Sequence, residues 1–259
     1  MPVPRRRSYA LTDVGKKRPG NEDALLADDT LGLYVVADGV GGHAKGEVAS
    51  AESVEQVRNF VSAGYDAVEQ WLRRQPGGTR DHELRLGLRR LLEGAVQSAC
   101  YFVFGMAEQD PSGTGMSTTL SALLIAGDHA VIAQVGDSRV YRRHGGRVTQ
   151  VTVDHTLINH QVSQGLITAE QARTMRGHNV ITRAVGHRDY VEVDTFAVDI
   201  EPGDAFLICS DGLHGYVDLD EVDQFLSQPT VELAARRAID LANLRGGKDN
   251  ITAVVIAIR

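Results

Sequence analysis

The chain has 259 residues, of which 42% are hydrophobic and 24% charged, with 27 Gly, 7 Pro and a formal net charge of −7. That is the balance of a globular chain long enough to bury its own core, which excludes collagen-like, mucin-like and intrinsically disordered readings. The longest apolar run, near 253–258, falls far short of the ~20 residues of a membrane span, and the acidic balance argues against a general nucleic-acid binder.

In chain order, Arg5-Arg6-Arg7 reads as a solvated basic tail. No apolar stretch follows it, so it is not a secretory signal. Residues 31–37 are short, apolar and β-branched, which predicts a strand. From Glu47, the positions Ala51, Val54, Val57 and Val61 recur at threes and fours, the spacing of an amphipathic helix. Gln75-Pro76-Gly77-Gly78 is a turn-rich break. A second helix from Glu83 carries the stripe Leu84, Leu88, Leu91, Leu92, Ala95, Ala99, Phe102, Val103, Met106. Another break at Gln109-Asp110-Pro111-Ser112-Gly113 leads into strands over 118–126, 130–135, 140–143 and 148–153.

Residues 154–183 are polar, with Gly165 and Gly177 as breaks, and read as a flap outside the strands. Within it, Thr168-Ala169-Glu170-Gln171 has the form of a helix start with a capping residue and an early acid. His155 and His160 in the flap read as surface histidines. Strands over 191–200, 205–209 and 251–258 follow, with a helix over 231–244 whose Ala234, Ala235, Ala238, Leu241 and Ala242 face inward. Cys100 and Cys209 sit in apolar patterns without a CxxC and read as buried thiols, consistent with a reducing cytoplasm. The strands come in consecutive runs, which argues α+β with antiparallel sheets covered by long helices.

The acidic residues carry the chemistry. Asp38 ends the apolar run Leu33-Tyr34-Val35-Val36-Ala37, and Asp211 ends Phe206-Leu207-Ile208-Cys209-Ser210; a glycine follows each. Asp137 follows Val135-Gly136, and Asp249 stands just before the last apolar run. An aspartate at the end of a buried strand is costly to desolvate unless it is paired or metal-bound. A turn explains any one of them; four at the same kind of position point to a hard-cation site. Oxygen donors without cysteine or a histidine pair select Mg²⁺ or Mn²⁺ over Zn²⁺. Neither HExxH nor an EF-hand loop is present. Arg18, five residues before Asp23, is a candidate phosphate clamp, beside its plain reading as a surface arginine.

One literal match misleads. Gly39-Val40-Gly41-Gly42-His43-Ala44 fits the GxGxxA dinucleotide pattern, but the chain is no parallel α/β repeat and Asp38 would face the pyrophosphate. Gly246-Gly247-Lys248 is no P-loop, since Asp249 replaces the required hydroxyl residue. Gly115-Met116-Ser117-Thr118 is no GxSxG elbow.

From end to end the chain resembles the metal-dependent protein serine/threonine phosphatases of the 2C type, in particular the bacterial branch. The resemblance runs through Thr12-Asp13-Val14-Gly15, Arg18, Asn21-Glu22-Asp23, Val36-Ala37-Asp38-Gly39-Val40-Gly41-Gly42-His43 and Gly46-Glu47-Val48-Ala49. It continues through Gly115-Met116-Ser117-Thr118-Thr119, Gly136-Asp137-Ser138-Arg139, Asp154-His155-Thr156, Gly165-Leu166-Ile167-Thr168 and Ile181-Thr182-Arg183-Ala184-Val185-Gly186. Cys209-Ser210-Asp211-Gly212-Leu213 and Lys248-Asp249-Asn250-Ile251-Thr252 close it. Each motif is modest alone; this many in order is specific.

The resemblance implies a single phosphatase domain over 1–259, a central β-sandwich of two antiparallel sheets flanked by helices on both sides, and a flap subdomain at 154–183. It implies a binuclear Mn²⁺ or Mg²⁺ centre at one end of the sandwich, with a possible third, weaker site. Carried over by position, Asp38 would bridge the two metals, Gly39 would give its carbonyl to one, and Asp211 and Asp249 would complete the other. Glu22 and Asp23 would hold metal-bound waters, Asp137 with Asp211 would take the third metal, and Arg18 would bind the substrate phosphate. The activity implied is hydrolysis of protein phosphoserine and phosphothreonine by a metal-activated water. The partners implied are phosphorylated proteins, among them a Ser/Thr protein kinase and its substrates, in the cytoplasm. Alternatives are a non-catalytic module on the same fold, which would be expected to have lost ligands, and a small-molecule phosphohydrolase. Two positions depart from the family pattern. Val40 stands where many eukaryotic members carry a histidine, leaving His43 or a metal-bound water as the general acid, and Ser117 stands where glycine is common.

Overall fold

Two antiparallel sheets lie face to face in the computed structural model of the chain, which describes residues 5–40, 45–73, 79–109, 111–175, 177 and 180–259. In the first, β1 (Arg6–Asp13) pairs with β11 (Ile251–Ile258), then β10 (Ala205–Cys209), β7 (Arg139–His144) and β8 (Arg147–Gln150). In the second the order is β2 (Asp23–Asp28), β3 (Leu33–Val40), β5 (Leu120–Ala126), β6 (His129–Val135) and β9 (Asp194–Asp199), with the short β4 (Ser117–Thr118) on the end of β3.

The inner strands are apolar on both faces because both faces are covered. Side chains alternate along each strand. On β3, Tyr34 and Val36 meet the opposite sheet, where they join Phe206, Ile208, Val254 and Ile256. Leu33, Val35 and Ala37 point the other way, onto α1 (Gly46–Arg73) and α2 (Thr79–Gln109), through Val54, Val57, Val61, Leu88 and Leu92. On β10, Leu207 and Cys209 face α6 (Leu219–Leu226) and α7 (Val231–Leu244), where Phe225, Ala235 and Ala238 fill the gap. Four layers result, helix-sheet-sheet-helix, as the resemblance implied.

Several expectations needed correction. Arg5-Arg6-Arg7 is not a loose tail: Arg6 opens β1, and its guanidinium donates to the carbonyls of Asp29 at 2.7 Å, Ile125 at 3.0 Å and Thr30 at 3.0 Å. β1 and β2 were not anticipated, because both are outer strands with half-exposed faces and mixed composition. Neither α3 (Leu157–Ser163) nor α6 was foreseen. The strands expected at 148–153 and 191–200 are shorter, Arg147–Gln150 and Asp194–Asp199. Ala51 on α1 is exposed, and Phe102 on α2 keeps 40% of its surface exposed, so both stripes are narrower than their spacing suggested.

Between β8 and β9 the chain leaves the sandwich and forms α3 and α4 (Ala169–Thr174). The expected start at Thr168 is a complete capping box: Thr168 accepts from the Gln171 amide, and Gln171 accepts from the Thr168 amide. Pro111–Gly113 forms a 3-10 turn at the second predicted break; the first, at 74–78, lies outside the described residues. Among the described residues no helix is long and apolar enough to cross a membrane. Cys100 and Cys209 are buried and free, as expected.

Candidate metal centre

The predicted acids meet at one end of the sandwich because the antiparallel pairing brings their strand ends together. Asp23 at the start of β2 stands opposite Asp38 near the end of β3. Asp137 lies just beyond β6, Asp211 opens the short helix α5 (Asp211–His214) directly after β10, and Asp249 precedes β11. Asp23, Asp38 and Asp137 therefore come from one sheet, Asp211 and Asp249 from the other.

Hydrogen bonds between the sheets fix this end. Asp23 Oδ2 accepts from Ser210 Oγ at 2.8 Å and Thr252 Oγ1 at 2.6 Å. Thr12 then donates to Thr252 at 2.7 Å, and Asn21 Nδ2 donates to Thr12 at 2.9 Å. Asn250 spans the same gap: its Oδ1 accepts from the Glu22 amide at 2.8 Å, while its Nδ2 donates to the carbonyls of Val14 and Gly20. Asp38 is held through its backbone, its amide donating to Thr119 Oγ1 and its carbonyl accepting from Thr118 Oγ1 at 2.8 Å. Gly39 donates to the Glu22 carbonyl at 3.1 Å, and a Cβ there would come within 2.7 Å of that same oxygen and closer still to the Gly46 carbonyl. Only glycine lets these three backbone segments approach so closely.

The electrostatics are those of crowded like charges. Burial, and then the charges of Asp23, Asp211, Asp137 and Asp249, hold the Asp38 carboxyl well above its ordinary value. Burial pushes Asp23 up to about 6 and Asp137 up to about 7, and raises Asp211. Arg18 is the cation at the edge, its Nη2 2.7 Å from Asp249 Oδ2, with both side chains partly exposed. A second pair stands further along: Arg139 is bidentate on Asp154, with Nη2 to Oδ2 at 2.7 Å. Asp137, Arg139, Asp154, His214, Lys248 and Asp249 line a cavity of 660 Å³ that opens beside the acids.

All the predicted residues converge, though not as a finished cage. Among the described residues, no three His, Cys, Asp or Glu side chains stand close enough to grip one ion between them. Asp211 hydrogen-bonds Asp38 while Asp249 turns to Arg18. The donor set nonetheless fits hard divalent cations. It consists of carboxylate oxygens, Asp23 Oδ1 is buried without a hydrogen-bond partner, and Mg²⁺-like ions keep several waters and so need few protein ligands each.

The sequence reading missed supporting residues. Ser210, Thr252 and Asn250 stand within three residues of Asp211 or Asp249, and that adjacency is the signal that points to them. His214 donates to the Asp137 carbonyl at 2.9 Å, and burial pushes its imidazole down to about 4. His155, expected at the surface, is 7% exposed and bonded on all sides; His160 is exposed as expected. His43 lies outside the described residues. Ser117, in place of the common glycine, is buried opposite Val40.

An antiparallel helix-sheet-sheet-helix sandwich with acids from both sheets gathered at one end is the class of protein that this geometry defines. The sequence profile of the family described as protein phosphatase 2C matches residues 16–244, which takes in every candidate site residue except Asp249. The chain belongs to the protein phosphatase 2C family. It is 34% identical over 256 residues to the serine/threonine phosphatase stp of Listeria monocytogenes, covering 95% of this chain and 93% of that one. It is 35% identical over 250 residues to the serine/threonine protein phosphatase PstP of Mycobacterium tuberculosis, covering 96% of this chain but 44% of that longer protein. The crystal structure of the PstP catalytic domain, in complex with two manganese ions, superposes with a TM-score of 0.80 at 34% identity, covering 98% of each chain.

Proposed function

We propose that this chain, acting as one phosphatase domain over 1–259, hydrolyses phosphoserine and phosphothreonine on proteins at a binuclear Mn²⁺ or Mg²⁺ centre. The observation that carries the reading is Asp38, a carboxylate ringed by the charges of Asp23, Asp137, Asp211 and Asp249, with Arg18 at the rim. Asp38 would be shared by two cations, Gly39 would offer its carbonyl to one, and Asp211 and Asp249 would serve the other. Asp137 with Asp211 would take a third, weaker ion. Two such cations, when bound, supply a water of lowered pKa and neutralise charge on a phosphoryl group.

The chain's own residues do the rest. Glu22 and Asp23 orient water, Asp23 being fixed for that by Ser210 and Thr252. Arg18 presents a planar fork that matches two phosphate oxygens. Its bond to Asp249 keeps it aimed at the acids, so the arriving phosphate exchanges places with a carboxylate instead of recruiting a distant side chain. Arg139, already neutralised by Asp154, shapes the adjoining cavity without adding a free charge.

The flap at 154–183 is our candidate for substrate choice, since its first residues line that cavity. A Ser/Thr protein kinase and the proteins it phosphorylates are the partners we infer, since a phosphatase of this kind acts on what such a kinase has modified. The test is hydrolysis of p-nitrophenyl phosphate and of phosphothreonine peptides with Mn²⁺, with EDTA and Asp211→Ala as controls. Turnover lost in both controls is the expected result; turnover that survives EDTA overturns the reading. Replacing the flap should change peptide preference while sparing the aryl phosphate, and equal loss of both would refute its role.

A further inference from the structure

Gly136 and Asp137 form a turn whose shape is dictated by its neighbours. Gly136 has φ +97, and a Cβ on it would lie 2.6 Å from Thr119. Gln134 Nε2 donates to the Gly136 carbonyl at 3.0 Å and the Ser138 carbonyl at 2.7 Å, holding the turn from within the sheet. His214 holds the Asp137 carbonyl. The remaining hold comes from His155. Its amide donates to the Gly136 carbonyl at 2.8 Å, and its Nδ1 accepts from the Gly136 amide at 3.2 Å.

That acceptor role fixes the tautomer: the ring proton sits on Nε2. Nε2 faces Asp194 Oδ2 at 3.2 Å, at the start of β9. Arg183 Nη1, also 3.2 Å from Nε2, cannot bond a protonated nitrogen and gives its hydrogen to Asp194 Oδ1 at 2.7 Å. Arg183 also pairs with Glu192 at 2.9 Å. The His155 carbonyl accepts from the Thr182 amide at 2.8 Å. Both ends of the segment 154–183 therefore close on one residue, and that residue grips the turn that carries Asp137.

The geometry points to His155 as a positioning residue that couples the flap to the Asp137 cation site, through the hydrogen bond from the Gly136 amide to Nδ1. This rests on the metal-centre reading above and adds the flap-side residue through which that site is set. Removing the imidazole frees the Gly136 amide and releases Asp194 from Nε2, loosening the link between the turn and the start of β9, while the backbone bonds of residue 155 to Gly136 and Thr182 stay in place. The ligand whose binding it tunes is a divalent cation, and disruption of an outer support of this kind weakens metal binding by roughly 10–100-fold.

The test compares His155→Ala, His155→Asn, His155→Gln and Asp137→Ala with the unaltered chain. Mn²⁺ binding is followed by calorimetry well below each melting temperature, and flap opening by limited proteolysis within 154–183. The unaltered chain should show a weak Mn²⁺ step that Asp137→Ala removes. His155→Ala should weaken that step at least tenfold and speed cleavage of the flap. His155→Asn, whose amide oxygen can occupy the place of Nδ1, should restore the step, whereas His155→Gln, which reaches only toward Asp194, should not. An unchanged step in His155→Ala, or equal behaviour of the Asn and Gln variants, overturns the inference alone. If His155→Ala does not fold, the Asn and Gln pair decides. Absence of any Asp137-dependent step in the unaltered chain overturns the metal-centre reading and this coupling with it.

Discussion

Asp38 sits where a carboxylate is expensive to ionise, facing four others across the end of the sandwich. Asp38→Asn should therefore separate activity from stability. Hydrolysis should fall by ~10³-fold or more, as for loss of a principal charge-stabilising group. At pH 8, with chelator present, the melting temperature should rise, because the cost of burying an acid that is hard to ionise is removed; scanning calorimetry reads the sign. Arg18→Ala should act differently, lowering kcat/KM for phosphopeptides by ~10–100-fold and freeing Asp249, because it is partly exposed and touches a single acid. The acids were legible as a group because they end or adjoin apolar runs, whereas the separate roles proposed for Asp38 and Arg18 come from the family resemblance. His155 was not legible, since a histidine in a polar segment carries no sign of the turn it will meet.

At the scale of elements, legibility followed burial. β3, β5, β6, β10 and β11 are covered on both faces and stand out as apolar runs with nearly correct limits. β1 and β2 lie at sheet edges, where half the side chains meet water and the pattern dissolves. α7 matched its predicted span because its alanines form one dense stripe against β11. Two substitutions probe these joins. Arg6→Ala removes three charge-assisted bonds between the first strand and the opposite sheet, and urea unfolding should show a loss of about 1–2 kcal/mol, since part of the contact is solvent-exposed. Gly39→Ala forces a methyl group into the Gly46 and Glu22 carbonyls, and should cost about 2–4 kcal/mol and weaken Mn²⁺ binding together. A stable Gly39→Ala protein with unaltered Mn²⁺ titration would contradict that packing.

For the whole molecule, the raised carboxyls make stability depend on pH in an unusual direction. Folding holds protons on Asp23 to about pH 6 and on Asp137 to about pH 7, with Asp38 also raised, while the unfolded chain releases them near 3.8. The folded state then binds more protons, so these groups lose stability as pH rises. His214, lowered to about 4, and His155, lowered by burial, work the opposite way, but only below their ordinary value of 6.5. Above 6.5 the carboxyls act alone, and with chelator present the urea midpoint should fall between about pH 6.5 and 8. Mn²⁺ should reverse that slope and release protons on binding; a midpoint that rises with pH in chelator would contradict the electrostatics. The bond from Ser210 and Thr252 to Asp23 has a mechanical meaning as well. It is a rivet through the two leaves of the sandwich, driven at the end where the acids gather. A cation gripped by Asp38 and Asp211 would be a second rivet beside it. The two leaves then part most easily from the far end, and amide exchange should quicken with chelator in a gradient, steepest at the starts of β2 and β11 and fading toward Asp28 and Ile258.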